Sequence, residues 1–322
     1  MTMAEKARPA PRIIGSMFAL PVVPDHQAAR TPPFFAEKSQ RLVNARSGIF
    51  LLIETLAPGQ VWLPSYLCAA VRQAIPPKRA RTRFYRVNGN LAIPSLDWIE
   101  DVRPGDLVIL IDYFGHPCNS ACAIQAKEQG AWVLEDASQA LLSEAVGQST
   151  DFALFSPRKF LGVPDGGILT FPHEVELPSI ELRCPPPIWW LKSLSATVQR
   201  REFDLHGGDR RWFELFQQVE REQPIGHYAM SELSTVLLEH SFDYAEIAQQ
   251  RIDNYRFLAD RLAGVALFPN LAPGTVPLGF PIRLPNRDRI RQVLFEHEIY
   301  PPVHWPLQGI VPEEFRESHQ LS

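Results

Sequence analysis

Apolar and polar positions alternate along this chain in two rhythms. The runs "QVWLPS", "DLVILIDYFG", "AWVLEDAS", "DFALFS" and "GGILTF" are short, apolar and bounded by turn formers, as buried strands are. Between them "SGIFLLIETLAPG" and "NSACAIQAKEQG" carry apolar residues at helical density, the first opened by Ser47 and closed near Pro58 and Gly59. Strand, helix and strand in succession predict a mostly parallel sheet covered by helices, which gathers ligands beyond the carboxyl ends of its strands. Past Phe171 the rhythm loosens through "RCPPPIWWLKSL" and an aromatic, charged stretch. It recovers in "MSELSTVLLEHSFDYAEIAQQRIDNYRFLADRLAG", one long or two consecutive helices, and a last segment from "VALFPN" to "YPPVHWP" reads as strand, strand, helix, strand. The first stretch is proline-spaced and irregular, an arm that wraps over a neighbouring surface or another subunit. The expected organisation is an N-terminal arm over 1–40, a large α/β domain over 41–235 and a small C-terminal α+β domain over 236–322.

Composition keeps this picture and removes some functions. A chain of 322 residues that is 45% hydrophobic and 21% charged can fill a sizeable core, which excludes disorder and fibres. Its 30 prolines against 18 glycines predict rigid, short connections. A net charge of -4 argues against nucleic acid as a partner, since phosphate binding needs a basic surface; the local basic stretch "PPKRARTRFYR" reads as a solvated face or loop. Cys68, Cys118, Cys122 and Cys184 are too few and scattered for a disulfide framework, which fits a reducing cytoplasm. Cys118 and Cys122 with His116 lack a second ligand pair at finger spacing, so no metal is expected. The N-terminal "MTMAEKARPAPRIIG" contains no apolar run for a signal or membrane segment, so export and membrane insertion are not expected.

The familiar nucleotide motifs, G-x-G-x-x-G after a strand and G-x-x-x-x-G-K-[ST], do not occur, nor do H-E-x-x-H and G-x-S-x-G. What remains is a constellation at strand ends and a helix start: Ser47 and Gly48, then Asp136 and Gln139, then Ser156 and Lys159. A helix start with Ser and Gly offers unpaired N–H groups and a hydroxyl to a phosphate. An aspartate at a strand end can keep a pyridinium nitrogen protonated, and a partly desolvated lysine can lose its proton and attack an aldehyde. Together these are the parts a protein supplies to pyridoxal 5'-phosphate. Singly each has an ordinary reading: Ser47 as a cap, Asp136 as a turn residue, Lys159 as a surface lysine.

In order, "PSYLC", "EDASQA", "FSPRKFLGVPDGG" and "HYAMSEL" resemble the DegT/DnrJ/EryC1/StrS family of pyridoxal-phosphate-dependent aminotransferases, from about Asn44 to about His304. The resemblance implies an α/β protein of fold type I, like aspartate aminotransferase. It makes Lys159 the lysine that condenses with the cofactor's aldehyde and shuttles a proton, and Asp136 the partner of the pyridine nitrogen. Gln139 matches the residue at the phenolic oxygen, and Ser47 with the Gly48 amide the phosphate contact. The implied reaction is ping-pong: a small-molecule amino donor, commonly glutamate, charges the cofactor, and a keto acceptor, in many relatives a nucleotide-linked keto sugar, receives the amine. A homodimer is implied because the family's sites are assembled between two subunits.

The sequence departs from the family pattern in four places. Leu154 stands where the family usually has serine, five places before the lysine, while Ser156 forms the Ser-x-x-Lys arrangement of other fold-type I aminotransferases. Cys68 replaces the ring-stacking aromatic, with Tyr66 or Phe114 as alternatives. His227 matches an asparagine that relatives lend across the dimer to the phosphate, and its charge there would depend on pH. The chain stops at "SHQLS", where relatives continue through the small domain, so that domain is expected to be truncated or incomplete. These departures admit a binding or regulatory homologue without transaminase activity, although Lys159, Asp136 and Gln139 together favour the enzyme. Sugar dehydratases of this fold carry histidine in place of the lysine. For the substrate, Arg158 offers a planar fork to a carboxylate or phosphate, and His304 resembles a small-domain segment that reaches the site. The paired tryptophans of "PPPIWWLKSL" fit a buried interface as well as a substrate shelf.

Overall fold

The computed structural model describes residues 13–23, 28–172, 175 and 180–322. Its strands are β1 (Ile14–Gly15), β2 (Ser39–Leu42), β3 (Gln60–Pro64), β4 (Arg81–Tyr85), β5 (Leu107–Ile111), β6 (Trp132–Asp136), β7 (Phe152–Phe155), β8 (Gly167–Thr170) and β9 (Ile299–Tyr300). Seven of them form one sheet in the order β2-β8-β7-β6-β5-β3-β4. Pairing from β4 through to β7 is parallel, whereas β8 runs antiparallel to both β7 and β2. The interior strand β5, "LVILI", is buried along its whole length, as expected of a parallel strand covered on both faces. At one edge β4 alternates exposed arginines, Arg81 and Arg83, with more buried positions. The basic stretch is thus a charged edge strand with a solvated face, a common protection against edge pairing.

Helix α1 (Ala45–Leu56) starts two residues before the expected Ser47. Asn44 is its cap: the side-chain oxygen accepts from the Ser47 N–H at 2.9 Å, and its amide donates to the Pro224 carbonyl at 2.8 Å. The helix stops at Ala57, held at φ 44° in the left-handed region. Helices α2 (Ala69–Gln73) and α3 (Ser120–Glu128) connect successive strands. The stretch after Phe171, which lost its rhythm in the sequence, contains α4 (Pro187–His206) and α5 (Arg211–Arg221) packed together. On α4 a cation joins Trp189, Ala196 and Phe203 on the buried side, and apolar residues lie on the exposed one. Arg200 is buried, donating to the carbonyls of Ile13, Gly15 and Met17 and lying over the Trp212 ring, while Ile188, Leu191, Val198 and Leu205 are exposed. A buried cation and a solvent-facing apolar stripe blur the amphipathic signal.

Of the two readings for the next segment, two helices form: α6 (Glu232–His240) and α7 (Tyr244–Leu262). Of the strands expected after them only one antiparallel bridge, Ala266 to Ile282, appears among the described residues before α8 (Arg287–Glu296). Strand β9 then pairs in parallel with β1 of the arm, and α9 (Arg316–Leu321) follows. The arm lies on α4, with the Leu20 N–H on the Thr197 carbonyl at 3.1 Å. It also passes so close to Gly162 that a Cβ there would sit 1.7 Å from the Ala19 carbonyl oxygen, an approach only glycine permits. No helix of the described residues is long and apolar enough to cross a membrane.

Candidate active site

Parallel strands β5, β6 and β7 end at the same side of the sheet, and the loops that leave them bring Phe114, Gln139 and Lys159 to one cavity of about 1220 Å³. Asp136, last residue of β6, is 7% exposed; one oxygen accepts the Ser138 N–H at 3.0 Å and the other has no hydrogen bond among the described residues. Gln139 is 2% exposed and accepts the Phe114 N–H at 2.9 Å. That bond joins the two strand-end loops and supports Phe114 at φ 56°. Lys159 closes a 3-10 turn that begins at Pro157, its N–H on the Ser156 carbonyl at 3.1 Å. The exposed Lys159 side chain lines the cavity, and its amine has no hydrogen bond or ion pair among the described residues. Ser156 and Cys68 also line the space.

His304 forms part of the far wall, with its ring edge-on to Phe114 at 5.2 Å. Burial, reinforced by the positive charge of Lys159, lowers its pKa to about 4, so the imidazole is neutral at neutral pH. Tyr66 donates its hydroxyl to the His304 carbonyl, and burial pushes that phenol above its ordinary range. The three residues considered for ring contact, Cys68, Tyr66 and Phe114, all face the cavity, with Tyr66 also packed against Trp305 at 5.2 Å.

Arg158 faces Glu220, with a 2.7 Å bond, and Gln223 donates to the same carboxylate at 2.9 Å. Burial alone would raise the Glu220 pKa; Arg158, and behind it Arg46, outweigh burial and hold the carboxylate below the usual range. Arg46 is itself partly buried, which lowers its pKa, and it senses Glu220, Cys68 and Arg158.

Ser47 and Gly48 require correction. Neither lines the cavity. Ser47 is wholly buried, its N–H taken by Asn44 and its hydroxyl 3.4 Å from the Gly226 N–H. At Gly48 a Cβ would lie 2.6 Å from Leu154 Cδ1, so this glycine makes room for the leucine and not for a ligand. The helix start meets the cavity one turn position earlier, through Ala45 and Arg46. His227 is also outside the lining of this cavity, packed on Phe50 at 5.6 Å with Nε2 3.6 Å from Glu54. The trio His116, Cys118 and Cys122 is not grouped as a ligand set among the described residues: His116 packs on Phe268 with the rings tilted at 4.1 Å, and Cys118 sits with Asp112 and Glu135, ligand atoms within 4.8 Å of one another. Asp112 and Glu135 lie behind Asp136; burial first, then Glu135, pushes the Asp112 carboxyl well above its ordinary range.

The sequence profile described as the DegT/DnrJ/EryC1/StrS aminotransferase family matches residues 43–320. The chain belongs to this family. It is an aminotransferase, and the family's cofactor is pyridoxal 5'-phosphate. No curated protein matches it in sequence. Among solved structures it is similar to Spr1654 from Streptococcus pneumoniae in its PMP form, at 14% identity over 95% of this chain and 92% of that one, TM-score 0.61. It is also similar to DesV from S. venezuelae, at 18% identity over 88% and 76% of the two chains, TM-score 0.55. A third likeness is to PseC from Helicobacter pylori, described as an aminotransferase involved in the biosynthesis of pseudoaminic acid, at 14% identity over 88% and 79%, TM-score 0.59. At these identities the likeness is one of fold.

The aminotransferase presents a donor set that fits its cofactor: an unpaired amine, a carboxylate with a free oxygen, a fixed amide and a cationic wall within one cavity. Two cavity residues were missed in the sequence. Glu220 falls in the stretch where the helical rhythm was lost. Arg46 did leave a signal, because a cation in the first turn of a helix opposes the helix dipole and needs an anion nearby.

Proposed function

We propose that this aminotransferase transfers an amino group, from glutamate by family analogy, to a keto group on a nucleotide-linked sugar in two ping-pong half-reactions. The observation that carries the reading is Lys159, whose unpaired amine shares one cavity with Asp136 and Gln139. Bound pyridoxal 5'-phosphate would supply an aldehyde for the amino group and a ring that draws electrons from the carbon losing its proton. Lys159 would hold the cofactor covalently and move that proton. Asp136, anchored by Ser138, would keep a proton on the pyridine nitrogen through its free oxygen. Gln139 would contact the phenolic oxygen, its position fixed by Phe114. His304, neutral, can accept or donate a hydrogen bond to substrate without adding charge beside Lys159.

A nucleotide-linked acceptor is supported by Arg283, Arg287, Arg289 and Arg291, which give the outer cavity positive charge suited to a diphosphate. The exposed stripe of Ile188, Leu191, Val198 and Leu205 on α4 supports a homodimer that covers it, in which His227 would serve the partner subunit's site. Free cysteines at Cys68, Cys118, Cys122 and Cys184 support a cytoplasmic location.

The test is the visible absorption spectrum of the protein with cofactor, before and after borohydride, followed by addition of glutamate. A band fixed by borohydride and a shift to the pyridoxamine form are expected. No band overturns the cofactor reading, and a band unmoved by any amino donor overturns the transfer reading.

A further inference from the structure

Resting on that reading, we infer that Arg46, supported by Arg158, is the binding group for the cofactor phosphate, and that Glu220 is the resident anion whose charge limits how tightly phosphate is held. The expected seat at Ser47 and Gly48 is closed by two neighbours. Asn44 takes the Ser47 N–H at 2.9 Å, and the Leu154 side chain fills the space against Gly48, 2.6 Å from where a Cβ would stand. A phosphate could enter there only by displacing a fully buried leucine and leaving its methyl groups against an anion. The cavity-facing part of the same helix start is Ala45 and Arg46, and the cations next to it belong to Arg46 and Arg158. Arg46 is partly buried and the Arg158 side chain is 13% exposed, and both act on one carboxylate, Glu220, which Arg158 and Gln223 hold at 2.7 and 2.9 Å.

The arrangement has a charge consequence. Two guanidinium groups and one carboxylate leave a net charge of about +1 at the helix start, where the helix dipole adds further positive potential. A guanidinium binds phosphate through paired N–H bonds, more directionally than a single hydroxyl does. A bound phosphate meets Glu220 as a like charge around the same cations. Depressed as its pKa is, Glu220 stays ionised and does not yield by taking up a proton.

The experiment compares pyridoxal 5'-phosphate with pyridoxal, which has the same reactive aldehyde and no phosphate, by titrating the visible band each forms with the protein. The ratio of the two dissociation constants isolates the phosphate. Arg46→Ala is expected to weaken binding of the phosphorylated form at least tenfold with pyridoxal unchanged; Arg46→Lys should retain most of the preference. Glu220→Gln should tighten the phosphorylated form several-fold, again with pyridoxal unchanged, and Ser47→Ala should leave the ratio as it is. Pyridoxal binding doubles as the check on folding; should Arg46→Ala fail it, Arg46→Gln, which keeps the apolar stem, is read the same way. An unaltered ratio in the Arg46 variants, or a ratio collapsed by Ser47→Ala, overturns the assignment of Arg46. Looser phosphate binding in Glu220→Gln overturns the role given to Glu220. If the wild-type protein binds neither compound, the cofactor reading itself fails; if it binds both and ignores Arg46, only this inference falls.

Discussion

The two sides of the cavity are built on opposite principles. At the ends of β6 and β7, polar groups are left open: the buried Asp136 keeps a free oxygen and the exposed Lys159 a free amine. At the start of α1, the chain closes its own groups, with Asn44 capping Ser47 and Leu154 packed on Gly48. Both regions carry residues that look suited to a ligand; the strand ends offer theirs, whereas the helix start withholds Ser47 and Gly48 and meets the cavity through Ala45 and Arg46. The lesson is that a strand end faces a cavity because of the topology of a parallel sheet, whereas a helix start is available only if its neighbours leave it so.

The largest effect should come from the open side. Lys159→Ala is expected to lose the borohydride-sensitive band and to slow the half-reaction with glutamate by at least about 10³-fold, read by stopped-flow absorbance. A band that survives the substitution would break the comparison at its strongest point. The closed side should respond in stability. Leu154→Ala should cost about 2–4 kcal/mol and Gly48→Ala about 1–3 kcal/mol through overpacking, both read by urea denaturation. In the double variant the smaller side chain at 154 makes room for the new methyl group, so the summed loss should fall short by more than about 0.5 kcal/mol. Strict additivity would mean that the two residues do not meet.

Behind the open side, Asp112 offers a sharper test. Its pKa is raised on folding by burial and then by Glu135, so its proton stabilises the fold below the unfolded carboxylate range and this contribution is lost as pH rises toward the folded value. Asp112→Asn carries no such proton. It should therefore melt higher than the wild type at pH 8, with the advantage shrinking toward pH 5; an advantage that grows on acidification would reverse the sign. The smallest effect is expected at Ser47. With its hydroxyl only 3.4 Å from the Gly226 N–H, Ser47→Ala should cost about 1 kcal/mol or less.

The same contrast separates what could be read from the sequence from what could not. β3, β5, β6, β7 and β8 were legible because each is an apolar run between turn formers, and α3 because a run of helix-forming residues follows the capping Asn119. The site residues at strand ends were legible for the same reason: "EDASQA" and "SPRKF" follow directly from strands whose direction the alternation fixes. The pair α4 and α5 was not, because Arg200 is buried against the arm's carbonyls and the apolar stripe of α4 faces outward. Glu220 was lost with them. The last segment was over-read: apolar residues there imply strands, yet β9 takes its partner from the arm, nearly the full length of the chain away.

By itself the sequence determined the alternation that builds a parallel sheet, the side of that sheet where chemistry gathers, and the lysine and aspartate delivered there. Local physics is sufficient for this, since period, turn residues and chain order set strand direction. Only the tertiary structure decided which polar groups remain available. That choice belongs to residues far apart in the chain: Leu154 against Gly48, Glu220 beside Arg158, and Lys159 near His304. Burial, charge and steric closure act through space, and no window of neighbouring residues contains them.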